Sequence, residues 1–118
     1  MALKPVEWVS SARTNLRAFP QAVQRELGFA TVPRADRRDI PERKPLHGSL
    51  RGVLEISEND RSGTYRLVYT VQIGEVVYVL HAFQKKSRHG IATPRAELDL
   101  IAQRLREARQ DYERQTDR

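Results

Sequence analysis

Two strand-forming runs joined by a tight turn constrain this chain more than any other feature. The first reads Arg61-Ser62-Gly63-Thr64-Tyr65-Arg66-Leu67-Val68-Tyr69-Thr70-Val71. A turn falls at Ile73-Gly74, and the second run goes Val76-Val77-Tyr78-Val79-Leu80-His81-Ala82-Phe83-Gln84-Lys85-Lys86. Val, Tyr, Leu and Thr dominate both, and these residues suit a pleated, half-buried surface. The short glycine-containing link predicts a hairpin. Arg66 is out of place in a strand unless it faces a cleft or a partner, because a buried charge is costly alone. Lys85 and Lys86 stand where the second strand leaves the sheet, a position from which scaffolds present functional groups.

The chain has 118 residues, a length that suits one domain, 1–118, with a modest core. Lys plus Arg is 21 and Asp plus Glu is 15, so the formal charge is +6. The isoelectric point is about 10.2. That balance favours polyanionic partners, most often nucleic acid. The absence of Cys excludes a disulfide framework and a thiolate metal site. No apolar run approaches the ~20 residues of a membrane span. Met1-Ala2-Leu3-Lys4-Pro5 lacks the apolar core of a signal peptide, so the expected location is the cytoplasm, with no membrane contact.

Read in order, Pro5 to Val9 is a short strand with Val6 and Trp8 on one face. Ser10 or Ser11 can cap a helix over Ala12 to Phe19, which carries Ala12, Leu16 and Phe19 at helical spacing. Pro20 interrupts it and suits the first turn of a second helix, Gln21 to Val32, striped by Val23, Leu27 and Ala30. The two helices form an αα-hairpin. Pro33 to Gly48 breaks every periodicity and reads as a surface loop. Gly52 to Glu58 is a strand, joined through a turn-rich Asn59 to Gly63 to the hairpin, so three strands form an antiparallel meander. After a polar loop, Ser87 to Thr93, Thr93 suits an N-cap and Pro94 the first helical position. The last helix runs to about Glu113, with Leu98, Ile101, Leu105, Ala108 and Tyr112 on one stripe that should pack on the sheet. The expected fold is α+β: a small antiparallel-dominated sheet, an N-terminal helical hairpin and a C-terminal helix.

No metal constellation is visible. His47, His81 and His89 are scattered and no pair has helical ligand spacing. There is no phosphate-cradling glycine loop and no nucleophile elbow. The basic residues carry more information. On the central strand Tyr65, Leu67, Tyr69 and Val71 share the face with core character, and Arg66, Val68, Thr70 and Gln72 share the other. Two readings of Arg66 stand side by side. It can bind a phosphate bidentately and stabilise charge developing in a transition state. It can equally pair with Glu55 across the sheet. Lys85, Lys86 and Arg88, with Arg61 nearby if the meander pairs in sequence, make either a polyanion site or a solvated turn.

Gly63-Thr64-Tyr65-Arg66-Leu67-Val68-Tyr69 resembles the central strand motif of the RelE/ParE toxin superfamily. Together with Leu54-Glu55-Ile56 before it, and Val79 to Ser87 and Thr93-Pro94 after it, the pattern resembles the HigB-like, phage-derived branch. The resemblance spans about Val6 to Tyr112. It implies a RelE-like compact domain and a type II toxin whose partner is an antitoxin, usually of helix-turn-helix type. It implies a ribosome-dependent mRNA interferase, an endoribonuclease acting on the ribosome and its mRNA with no cofactor and no metal. Carried over by residue, it implies that Arg66 stabilises the transition state, that Lys86 contacts the scissile phosphate, and that Lys85 assists beside it. Arg61 and Arg88 would hold phosphates, and His81 and His89 would lie against the substrate. Proton transfer is open among His81, His89 and Lys85.

The chain departs from the RelE pattern in two places. Glu55 and Ser57 stand where RelE-type members carry lysines, and no Tyr lies between Tyr78 and Tyr112. Two further functions therefore stay open on the same fold: a ParE-like inhibitor of DNA gyrase, and a phage-derived binding module without catalysis.

Overall fold

The structure is a computed structural model, and it describes residues 5–30, 43–46, 48–85 and 93–116. Among these, β1 (Val6–Trp8) leads into α1 (Ala12–Arg17) and α2 (Gln21–Ala30). Then come β2 (Arg43–Pro45), a single 3-10 turn at Gly48–Leu50, and the meander β3 (Val53–Asp60), β4 (Gly63–Ile73) and β5 (Val76–Lys85). The chain closes on α3 (Arg95–Thr116). The described strands form one sheet in the order β1-β5-β4-β3-β2. The meander is antiparallel, as its turns require, and β1 adds in parallel to β5 through Val6 to Trp8 opposite Val77 to Val79.

The sheet is covered on both faces, which the strand pattern alone did not convey. On one face Ala12, Leu16, Val23 and Leu27 of the helical hairpin pack on Ile56, Leu67, Tyr69, Val77 and Val79. On the other, Ile101, Leu105 and Ala108 of α3 pack on Val53, Val68, Tyr78 and Leu80. Six consecutive residues of β4, Tyr65 to Thr70, are therefore buried. Each fully buried Leu, Ile or Val contributes roughly 1.5–3 kcal/mol by transfer from water, which is what holds two thin layers of helix on the sheet. Phe19 closes the hairpin end against Tyr65, with ring centroids 4.6 Å apart and tilted by 54°. Gln24 ties the two helices, donating to the carbonyls of Phe19 at 2.7 Å and Arg17 at 3.1 Å.

Two expectations are corrected locally. The segment expected as loop between Pro33 and Gly48 contains β2, an edge strand antiparallel to β3 with Lys44 opposite Glu55. Pro45 is tolerated there because an edge strand has one side free of ladder bonds. Residues 33–42 and 47 of that segment, and residues 31–32 at the end of the expected second helix, lie outside the described residues. Ser11 occupies the N-cap of α1 but its side chain makes no capping bond. Its hydroxyl is taken up elsewhere, accepting from Arg104 at 2.7 Å. No helix among the described residues is long and apolar enough to cross a membrane.

Candidate functional site

The site is built by a one-residue irregularity in β5. Val68 stands opposite His81, but the next residue of β4, Tyr69, stands opposite Val79. Leu80 is thus an extra residue, a β-bulge, and two successive side chains point the same way. Leu80 and His81 both face α3, and the alternation resumes with Ala82 toward the helical hairpin and Phe83 toward α3. Every residue of β5 after the bulge is therefore switched in phase. The switch puts Lys85 on the α3 face, the face of Arg66.

Register then sets the neighbours. Arg66 is opposite Phe83 on one side and Ser57 on the other. Glu55 is opposite Val68, and Lys85 opposite Thr64, so both lie diagonal to Arg66, within reach of long side chains. The Arg66 guanidinium pairs with Glu55 Oε1 through Nη1. The other carboxylate oxygen, Oε2, accepts from the Thr93 hydroxyl at 2.7 Å, just before α3 begins. Lys44, directly opposite Glu55 on β2, is exposed at the edge of the group. Three cations, Lys44, Arg66 and Lys85, thus gather around one carboxylate.

Burial makes this group unusual. Glu55 is 2% exposed, and Arg66 and Lys85 are each 7% exposed. Arg66 Nε and Lys85 Nζ are buried and have no hydrogen-bond partner among the described residues. A buried donor left unmade is costly, and native structures rarely carry one without a reason. Burial pushes the Lys85 ammonium below the usual lysine range. The charge of Arg66 adds to the shift, Glu55 opposes it, and Lys44 adds again. The arrangement has the chemistry of an anion site: a planar guanidinium suited to bidentate oxyanions, beside a second cation with an uncommitted proton.

His81 belongs to a different network on the same face. Its Nε2 meets Glu97 of α3, and its Nδ1 lies 3.1 Å from Nη1 of Arg104. Arg104 also donates to the Leu80 carbonyl at 3.0 Å and, through Nη2, to Ser11. The ring stacks on Phe83 with centroids 5.1 Å apart. His81 is 6% exposed, and both ring nitrogens are engaged within the fold. Arg61 is exposed on the turn between β3 and β4, at the same end of the sheet as Lys85. Lys86, Arg88 and His89 lie outside the described residues. Among the described residues no group of three or more His, Cys, Asp or Glu could hold a metal ion.

The structure thus brings Arg66 and Lys85 together, and it commits His81, diagonal to Arg66 on the same face, to Glu97 and Arg104. It adds two members that residue patterns did not assign to the site, Lys44 and Thr93. A three-residue edge strand carries no periodic signal, so Lys44 was hidden in a segment that read as loop. Thr93 had the signature of a helix cap, yet its hydroxyl proton goes to Glu55.

Comparison with known proteins gives two findings. The sequence pattern that defines the phage-derived Gp49-like proteins matches residues 14–106. A chain of the toxin–antitoxin complex RelBE2 from Mycobacterium tuberculosis is similar in structure, with 24% identity and a TM-score of 0.49, covering 74% of this chain and 97% of that one. No curated protein matches the sequence.

Proposed function

The chain belongs to the phage-derived Gp49-like family, a RelE/HigB-type family of toxins of toxin–antitoxin systems, and from that premise we propose that it is a ribosome-dependent mRNA interferase. The observation that carries the reading is the buried group of Arg66 and Lys85, two cations with uncommitted donors at the end of the meander. In this reaction the 2′-hydroxyl of the nucleotide attacks the adjacent phosphorus. The bond to the 5′-oxygen of the next nucleotide breaks, and a 2′,3′-cyclic phosphate is left. A proton leaves the 2′-oxygen and another reaches the 5′-oxygen. Negative charge grows on the non-bridging oxygens, where a preoriented guanidinium and ammonium are worth most. Arg66 takes that role, Lys85 supports it, and Lys86, next in sequence, contacts the scissile phosphate. Arg61 and Arg88 hold flanking phosphates. The protein acts in the cytoplasm, on mRNA in the ribosome, and is held in check by an antitoxin of helix-turn-helix type.

The test is a translation reaction with purified protein, with mRNA ends mapped by primer extension. Cuts that require ribosomes and fall by a factor on the order of 10²–10³ in Arg66→Ala would establish the reading. Intact mRNA and undisturbed translation would reject it, and a supercoiling assay with DNA gyrase would follow.

A second reading has one observation in its favour. The Arg66–Glu55 pair is buried, as expected of an arginine that only ties β3 to β4. On that reading the chain is a binding module without catalysis, and Arg66→Ala lowers stability while leaving partner binding in place.

A further inference from the structure

Glu55 occupies Nη1 of Arg66, one of the donors that an oxyanion would need, and leaves Nε without a partner among the described residues. The carboxylate takes Nη1 of the guanidinium with one oxygen and the Thr93 hydroxyl with the other. It is 2% exposed, and the arginine it holds is 7% exposed. An arginine buried to that degree and held through Nη1 is closed to end-on binding by a phosphodiester, which needs both Nη groups. A carboxylate and a phosphodiester are both monoanions that accept from a guanidinium in the same forked geometry. Exchanging one for the other leaves the charge around Arg66 unchanged, while Lys85 and Lys44 still outnumber the single acid.

We infer that Glu55 is a displaceable internal stand-in for substrate phosphate, held by Thr93, which keeps Arg66 closed until an RNA phosphate takes its place. This inference rests on the reading of Arg66 as the phosphate-stabilising residue. The two holds on Glu55 come from different elements, β4 and the start of α3. Moving the start of α3 therefore loosens the carboxylate without touching the arginine. The latch is a coupling between the carboxylate and the incoming anion, and such couplings commonly amount to about 5- to 150-fold in affinity.

The experiment measures binding of a fluorescent, single-stranded 2′-O-methyl RNA, which cannot be cleaved, at one fixed ionic strength. The full chain is compared with Glu55→Gln and Thr93→Val, each alone and combined with Arg66→Ala. Glu55→Gln is expected to bind at least about fivefold tighter. Thr93→Val, which changes no charge, is expected to gain in the same direction by less. Both gains are expected to vanish when Arg66 is Ala. Equal or weaker binding in both single variants overturns the latch. So does a Glu55→Gln gain that survives in Arg66→Ala, since that is only the loss of a nearby negative charge. If Glu55→Gln does not fold, Thr93→Val in the two backgrounds decides by the same signs. If Arg66→Ala alone changes neither binding nor cleavage, the failure lies in the reading of Arg66, and the latch goes with it.

Discussion

The guanidinium of Arg104 faces Nδ1 of His81 at 3.1 Å, and that contact fixes the protonation state of the ring. Arginine has no acceptor, so Nδ1 must offer its lone pair and the proton must sit on Nε2, toward Glu97. Burial lowers the His81 pKa, Glu97 opposes the shift by hydrogen bond and charge, and Arg104 adds to it. With the folded pKa below the unfolded one, the unfolded chain binds the proton more readily. Stability is therefore full above about pH 6.5, the ordinary histidine value, and declines as pH falls through the interval down to the lowered value. Thermal midpoints between pH 8 and pH 5 are expected to drop on the acid side. The drop is expected to be shallower in His81→Asn, measured over the same range.

Tyr78 gives the opposite sign at the alkaline end. Its hydroxyl donates to Asp111 of α3 at 3.1 Å. Burial first, and then the hydrogen bond and charge of Asp111, raise its pKa to about 12. Folding here favours the protonated phenol, so stability holds below pH 10 and is lost as pH rises from 10 through 12. Absorbance titration is expected to show a tyrosine ionisation at about pH 12, close to the unfolding transition, that is absent from Tyr78→Phe. That variant also loses one hydrogen bond to a partly exposed charged acceptor, worth about 1 kcal/mol in urea unfolding.

Much of the fold was legible because its signals are periodic and local. Leu16, Val23 and Leu27 mark the hairpin helices, and Ile101, Leu105 and Ala108 mark α3. The alternation of Tyr65, Leu67 and Tyr69 marks one face of β4. Three things were not legible. That α3 would pack on the sheet was expected, but which face it covers, and so the burial of the Arg66 side, depends on how it folds back from far along the chain. The bulge at Leu80 is a matter of register between two strands, and nothing in Val79-Leu80-His81 announces it. The choice between a free and a paired Arg66 stayed open, because Glu55 reaches it only once β3 and β4 are aligned as they are. The site was therefore half visible: Arg66 and Lys85 by residue type and position, Thr93 and Lys44 only in three dimensions.

Gly74 tests the turn between β4 and β5. Its φ is +57°, a conformation that L side chains adopt with strain. A Cβ added there would also meet the ring and hydroxyl of Tyr112 on α3. Gly74→Ala combines backbone strain with displacement of a partly buried tyrosine. A loss of roughly 1–3 kcal/mol is expected in urea unfolding. Gly48 has a similar φ, +66°, but nothing lies within 4 Å of its added Cβ. Gly48→Ala is therefore expected to lose less, and equal losses would show that the Tyr112 contact is unimportant.

The bulge at Leu80 can be tested by separating the residue's size from its presence. Leu80→Ala keeps the extra residue and its phase switch, and removes only buried volume beneath α3. Its expected effect is a stability loss of about 2–5 kcal/mol with the site geometry retained. Deleting Leu80 removes the extra residue and leaves Val79 opposite Tyr69 and His81 opposite Val68 in a regular ladder. The alternation then runs from Val79 toward the helical hairpin to His81 toward α3, so His81, Phe83 and Lys85 keep the face of Arg66. Binding of the 2′-O-methyl RNA, measured below the unfolding transition, is expected to survive in both variants. A folded deletion variant that has lost binding would show that the local distortion at the bulge, and not the face on which Lys85 lies, positions the site.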